Sequence, residues 1–320
     1  MVKRSQRAAV RLILSFGLDA FRTAAELTGD YDRGLLFILI AHANVETFDL
    51  RDGAAAFSRA PIPDSQRRAI SANAVAVELG VPRETVRRQV NELIHLGMVV
   101  RDGARGLIVP TEVVLSPKVA AAQDRILIGF CALAKRAIET GFVWPDDGRP
   151  SAWAGKPRPD FLIHRHILAF TLRLAALTLG VFGQFEDALV FHAITEANLR
   201  HLTDDPELSR RYGSSTEPAP PDDLRRPVTT TRLVERTMIP RATMNRILGR
   251  LARAGLVVRR GRGVIAPAEV FDAGPVFDAT DQAAHYLTQA AARLASAGVT
   301  GGDLCRWAEQ RQRPPTAMAS

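Results

Sequence analysis

Residues 80–103 read GVPRETVRRQVNELIHLGMVVRDG, and residues 238–261 read MIPRATMNRILGRLARAGLVVRRG. Each stretch carries Pro-Arg, a Thr two residues on, apolar residues at helical spacing, a Gly, and then two valines, an Arg and a Gly. In the first, Val86, Val90 and Leu93 recur at i, i+4 and i+7, which predicts a helix with one buried face. Pro82 fits a first helical turn, whose amides have no internal partner, and Glu84 favours that positive end. Gly97 permits the left-handed conformation that ends a helix. Beyond it, MVVR (98–101) and LIVP (107–110) flank a DGARG tip and read as a two-stranded hairpin. Ahead of it, ISANAVAVELG (70–80) predicts a short helix with Ser71 as N-cap, Val75 and Leu79 as inner ridge, and Gly80 in the turn.

Opposite the buried ridge, at about 100° per residue, lie Glu84, Arg88, Asn91 and His95, flanked by Thr85 and Arg87. The second stretch keeps the ladder as Met244, Leu248 and Leu251. Its outer face carries Arg246, Arg250 and Arg253, with Thr243 and Asn245 beside them. There Thr237-Met238 replaces Leu79-Gly80 and Val234 replaces Ala76, so the turn is expected to be less regular.

The similarity extends beyond the two stretches. At an offset of 154, residues 7–49 match 161–203 at eleven positions, among them Arg11/Arg165, Gly29/Gly183 and Asn44/Asn198. At 158, residues 81–103 match 239–261 at ten; at 157, GLIVPTEV (106–113) matches GVIAPAEV (263–270) at five of eight. The offset changes where loops belong, as expected of a duplicated module. We read 1–143 as a first helical module with its motif at 68–110, and WPDDGRPSAWAGKPRPD within 144–159 and one residue beyond as a Pro- and Gly-rich linker. A second module follows at 160–299 with its motif at 226–267, then a C-terminal helix and tail at 300–320. In each module two long helices (about 6–28 and 31–48; 160–181 and 185–201) precede the motif, and a closing helix (118–140; 278–297) follows it.

The 320 residues suffice for one large domain or two ordinary ones, and with 47% hydrophobic and 24% charged residues they can bury a core. Net charge is +8 and the isoelectric point about 10.2, which favours a polyanionic partner. The cations are nearly all Arg, with four lysines; a high-GC genome gives the same bias. Cys131 and Cys305 stand alone, so no disulfide framework or metal spacing is expected and a reducing cytoplasm is the default. The basic, apolar N-terminus lacks a small-residue cleavage site, and the apolar stretch 167–183 is short and interrupted by Arg173, so a buried helix and no membrane association are expected. His164-x-His166, His192-x3-Glu196 and His42-x3-Glu46 are weak metal patterns. No catalytic or phosphate-binding signature is present, and neither enzyme activity, metal nor cofactor is expected.

Two short helices, a tight turn and a hairpin resemble a winged helix-turn-helix. The stretch LGVPRETVRRQVNEL, with Ala76, Gly80, Val81 and Val86 at the small, turn and core positions, is similar to the recognition segment of bacterial MarR-, GntR- and Lrp-like transcription regulators. The flanking helices are similar in outline to the MarR plan. The resemblance implies a mainly α fold with two winged helix-turn-helix domains, each with a small β-hairpin wing and flanked by long helices. It also implies double-stranded DNA as partner.

A recognition helix reads base edges from its N-terminal half. The candidates are Arg83, Glu84, Arg87 and Arg88, with Asn91 on the same face, and Arg241, Asn245 and Arg246 in the second copy. Ser71 and Thr229 at helix starts, and Arg101, Arg105, Arg259, Arg260 and Arg262 on the wings, are expected to hold phosphates. Arg250 and Arg253 complete the second set. Thr85 and Thr243 alternatively bond within their helices, and Arg253 alternatively meets the helix C-terminal dipole. From Arg225 to Arg262 eleven arginines face one acid, Glu235; from Asp64 to Arg105 seven face five. That concentration favours a duplex reader over an ordinary solvated face.

The expected function is therefore sequence-specific DNA binding in transcriptional control, cytoplasmic and nucleoid-associated. Two motifs in one chain would form a pseudo-dimer on half-sites about one helical turn, ~34 Å, apart. A homodimer or the transcription machinery are further candidate partners. The alternatives are a replication or partition initiator with tandem winged helices, and a protein-interaction adaptor built from such domains.

Overall fold

The structure, a computed structural model, describes residues 6–47, 57–103, 106–146, 148–214 and 218–310. Helix α1 spans Gln6–Thr28 and α2 Tyr31–Val45. Gly29, at φ +97°, ends the first; the Asp30 carboxylate caps the second by accepting from the Arg33 amide at 2.7 Å. The first motif comprises α3 (Ala72–Leu79), α4 (Arg83–His95) and an antiparallel hairpin of β1 (Val100–Asp102) and β2 (Gly106–Ile108). A single turn, α5 (Thr111–Val114), leads into α6 (Pro117–Glu139).

The same order returns in α7 (Asp160–Phe182), α8 (Phe185–Asp204), a short α9 (Pro206–Arg211), α10 (Thr230–Thr237), α11 (Arg241–Arg253), the hairpin of β3 (Val258–Arg260) and β4 (Gly263–Ile265), and α12 (Pro275–Ser296). Helix α13 (Gly301–Gln310) closes the described chain. The protein is mainly helical, with two small antiparallel hairpins among the described residues.

The ladder in α4 is buried as its period predicts: Val86, Val90 and Leu93 are fully enclosed, together with Val75, Ala76, Val99, Leu107 and Val109. Leu79, expected on the inner ridge of α3, is only partly covered. In α11 the ridge is Met244, Ile247 and Leu251, and Leu248 is half-buried, a correction to the expected ladder. Position 247 is Ile where the first copy has polar Gln89, so the apolar face rotates by one residue. In the turns, Gly80 adopts φ +63° and Met238, its counterpart, φ +56°. The second turn therefore keeps the left-handed geometry without a glycine. Met238 is the one non-glycine with positive φ among the described residues, a conformation that costs an L-residue about 1–2 kcal/mol.

By contacts the chain groups into two compact units, and each draws on both halves of the sequence. One holds residues 1–22, 139–143 and 173–287; the other holds 23–138, 144–172 and 288–320. Helices α1 and α7 are thus each divided between units, a grouping that differs from the sequence order of 1–143 and 160–299. In the first unit, Arg11 is buried and donates to the carbonyl of Tyr212 at 2.8 Å and to Thr203 Oγ1 at 3.1 Å. In the second, its counterpart Arg165 is buried and donates to the carbonyl of Phe57 at 3.0 Å. Each long helix therefore serves the loop of the other copy.

The stretch expected as a linker is pinned within its own unit. The Trp144 and Trp153 indoles donate to the carbonyls of Val299 and Ala297, and the Ala152 amide to that of Gly298. Helix α7 is the one described helix long and apolar enough to cross a membrane. Its Leu162, Ile163, Ile167, Phe170, Leu174 and Ala175 are buried.

Candidate nucleic-acid interface

Each motif is fixed to the helix before it by one buried asparagine. Asn44 Nδ2 donates to the carbonyls of Arg68 at 2.8 Å and Leu107 at 3.1 Å, and its Oδ1 accepts from the Val109 amide at 2.8 Å. Asn198 repeats this with Arg226 at 2.8 Å, Val264 at 3.2 Å and Ala266 at 3.0 Å. The entry strand and the hairpin are thereby held on α2 and α8 respectively. Isolated bridges Ile70–Leu107 and Val228–Val264 tie the entry segment to each two-stranded hairpin. Gly106 and Gly263 are required there, because a Cβ would stand 2.6 Å from the Ile70 carbonyl oxygen and 2.8 Å from that of Val228.

The helix starts are capped as expected: Ser71 Oγ accepts from the Ala74 amide at 3.1 Å and Thr229 Oγ1 from the Arg232 amide at 3.5 Å. Both residues remain exposed. Helices α4 and α11, at 13 residues each, run about 20 Å. With their ridges buried, they turn Arg83, Glu84, Arg87, Arg88 and Asn91, and Arg241, Asn245, Arg246 and Arg253, to solvent. Thr85 and Thr243 are half-buried, and Thr243 Oγ1 accepts from Arg246 Nη2 at 3.1 Å. Arg241 Nη1 lies 3.5 Å from Thr231 Oγ1, which holds the start of α11 beside α10.

The two outer faces differ in charge. On α4, Glu84 and Arg87 pair with each other at 2.8 Å. Arg101 of the hairpin donates to Asn91 Oδ1 at 3.1 Å. Gly249 stands at the Asn91 position of α11, so Arg259 has no such tie. Arg259, Arg260 and Arg262 are exposed on the second hairpin, although Arg260 also donates to the Asp222 carbonyl. Arg105 lies outside the described residues.

Arg250 differs from the rest of the expected outer set: its side chain, 37% exposed, is turned to α8. It forms a two-pronged pair with the buried carboxylate of Asp187 on α8, Nε to Oδ2 at 2.9 Å. The first copy places opposite charges at the same two positions with signs exchanged, but more loosely: Arg33 on α2, held by Asp30 at 2.7 Å, stands 3.8 Å from Glu92 on α4. Arg225 is buried, and Arg236 is taken by Asp19 and Glu196. Three of the eleven arginines between 225 and 262 are thus structural, and eight remain exposed: 226, 232, 241, 246, 253, 259, 260 and 262. Charge counting overstated the second face by those three, since sequence does not reveal a carboxylate across a helix interface.

Elsewhere, burial lowers the His164 and His192 pKa values to about 4, leaving both imidazoles neutral at ordinary pH. Burial likewise raises the Cys131 thiol to about 12, which suppresses the reactive thiolate. Among the described residues no cluster of three His, Cys, Asp or Glu is placed to hold a metal. Comparison with family models, curated proteins and solved structures finds no match to this chain.

Proposed function

We propose that the chain is a sequence-specific double-stranded DNA-binding protein of transcriptional control, carrying two winged helix-turn-helix motifs and acting by binding rather than catalysis. The observation that carries this reading is the outer side of α11. A helix fully buried along Met244, Ile247 and Leu251 presents Arg241, Asn245 and Arg246 to solvent, and the adjoining hairpin presents Arg259, Arg260 and Arg262. A major groove about 12 Å wide accepts such a helix. Arg forks onto guanine and Asn onto adenine, while hairpin arginines neutralise phosphates. The first motif, with Glu84 and Glu92 exposed among its arginines, is the weaker binder and contributes register.

The test is duplex binding by anisotropy at stepped salt. Affinity should fall steeply from about 50 to 200 mM salt, with a log–log slope of about −0.9 for each phosphate neutralised. Arg246→Ala should cost roughly 1–3 kcal/mol on the preferred site and little on unrelated duplex. Arg260→Ala should weaken every duplex alike. Absence of duplex binding at low salt would instead favour a protein-interaction adaptor. Equal, sequence-independent losses from both variants would remove Arg246 from base reading.

A further inference from the structure

Arg67 and Arg225 occupy the same place 158 residues apart, each after a 3-10 turn that begins on an aspartate, Asp64–Gln66 and Asp222–Leu224. Both are buried. Each gives Nε to a loop carbonyl, Ile62 at 2.9 Å and Pro220 at 3.1 Å, and each lies near its aspartate, at 3.3 and 3.4 Å. Beyond Nε they differ. Arg67 donates Nη1 to the Val109 carbonyl and Nη2 to Thr111 Oγ1 at 3.3 Å. Ala268 stands where the first copy has Thr111, and neither Nη1 nor Nη2 of Arg225 has a hydrogen-bond partner. The side chain has no solvent exposure.

A buried guanidinium with bare donors is costly, and proteins rarely leave one unmatched. Burial brings the Arg225 pKa down to about 10. The Phe271 ring, 4.9 Å from Cζ, covers one face of the cation but supplies no acceptor to the fork. Arg225 is one of the residues around a cavity of about 100 Å³ within a single unit. Its walls include Phe21, Leu174, Val181, Phe182, Phe191 and Val276, and neutral His192. Arg7 and Arg11 also line it, and both have protein acceptors, Arg7 the Phe271 carbonyl and Arg11 those of Tyr212 and Ser209. The cavity is thus an apolar body with a buried cationic fork beside it whose donors are unmet.

We propose that this cavity binds a short apolar monocarboxylate, whose two oxygens accept from Nη1 and Nη2 of Arg225 and whose tail fills the aromatic-lined space. A planar carboxylate matches the guanidinium fork, and the pairing is strongest out of water. An apolar cavity of about 150 Å³ holds benzene, so a tail of about four carbons suits this one. The proposal is independent of the duplex reading and is tested without DNA.

Calorimetry and thermal unfolding of the full chain with straight-chain carboxylates from butanoate to octanoate decide it, with pentanamide as the neutral isostere of pentanoate. Saturable binding of at least one acid is expected, with pentanoate favoured over pentanamide by about tenfold or more. Arg225→Gln should abolish it. Ala268→Thr restores the hydroxyl that serves Arg67, keeps the arginine, and should weaken binding by about tenfold. No saturable binding by any acid up to about 10 mM, equal binding of acid and amide, or undiminished binding by a folded Ala268→Thr chain would each overturn the proposal.

Discussion

Asn44 and Asn198 show how much one side chain can organise. Each is wholly buried and meets three backbone groups, with partners 24 to 65 residues away for Asn44 and 28 to 68 for Asn198. A helix side chain here completes strand hydrogen bonding at the root of a hairpin, where no neighbouring strand is available. Asn198→Ala should therefore strip the buried Ala266 amide of its acceptor and the Arg226 and Val264 carbonyls of one donor each, Val264 keeping the Val228 amide, and cost about 1–3 kcal/mol in urea unfolding. Asn198→Asp should also be destabilising, because a carboxylate cannot donate to the Arg226 and Val264 carbonyls. A loss below about 0.5 kcal/mol would mean that water replaces the side chain. The recurrence of this asparagine was visible in the sequence, but its role was not, since all its partners are distant along the chain. Met238 was the reverse: a glycine-free turn looked irregular, and the fold imposes the left-handed geometry regardless.

At the scale of elements, α4 and α11 are read from their sequences almost completely on the buried side, because a period of 3.6 residues encodes burial. The outer side is less legible. Whether Arg250 meets solvent or a neighbour depends on where α8 lies, and helical spacing carries no such information. The ties Arg33–Glu92 and Asp187–Arg250 join corresponding helices with opposite polarity. This predicts that the polarity itself is dispensable. Arg250→Asp should destabilise by about 1–2 kcal/mol, since it leaves Asp187 facing a like charge, discounted for the exposure of the Arg250 end. Adding Asp187→Arg should restore most of that loss. A double-mutant cycle on urea midpoints measures it, and coupling within error of zero would show the pair to be incidental. If the chain binds duplex as proposed, the same double variant should keep that affinity, because the two charges are directed at each other.

For the whole molecule, element order was legible and grouping was not. Composition and repeats divide the chain in sequence, whereas contacts assign the start of α1 to the unit of the second motif and the start of α7 to that of the first. Arg11 and Arg165 mark the exchange, each buried against a loop from the other copy. Their identity across the repeat was apparent, but a repeat cannot say which copy receives the side chain. Separately expressed fragments 1–143 and 160–320 should consequently lack cooperative unfolding, and mixing them should recover it. Circular dichroism melts of each fragment and of the equimolar mixture provide the measurement. A sharp, independent transition in fragment 1–143 alone would show that the exchange is not needed for stability.

The sharing of α1 and α7 between the two units turns what would otherwise be a meeting of two molecules into a property of one. Two separate single-repeat chains trading these helices would gain and lose structure with dilution; tethered in tandem, the partner's share is always at hand, at an effective concentration set by the connecting segment. Copy number and ploidy of the product would then leave its folded fraction unchanged, and the two repeats are free to drift apart in charge, as the faces of α4 and α11 have, without either losing its complement.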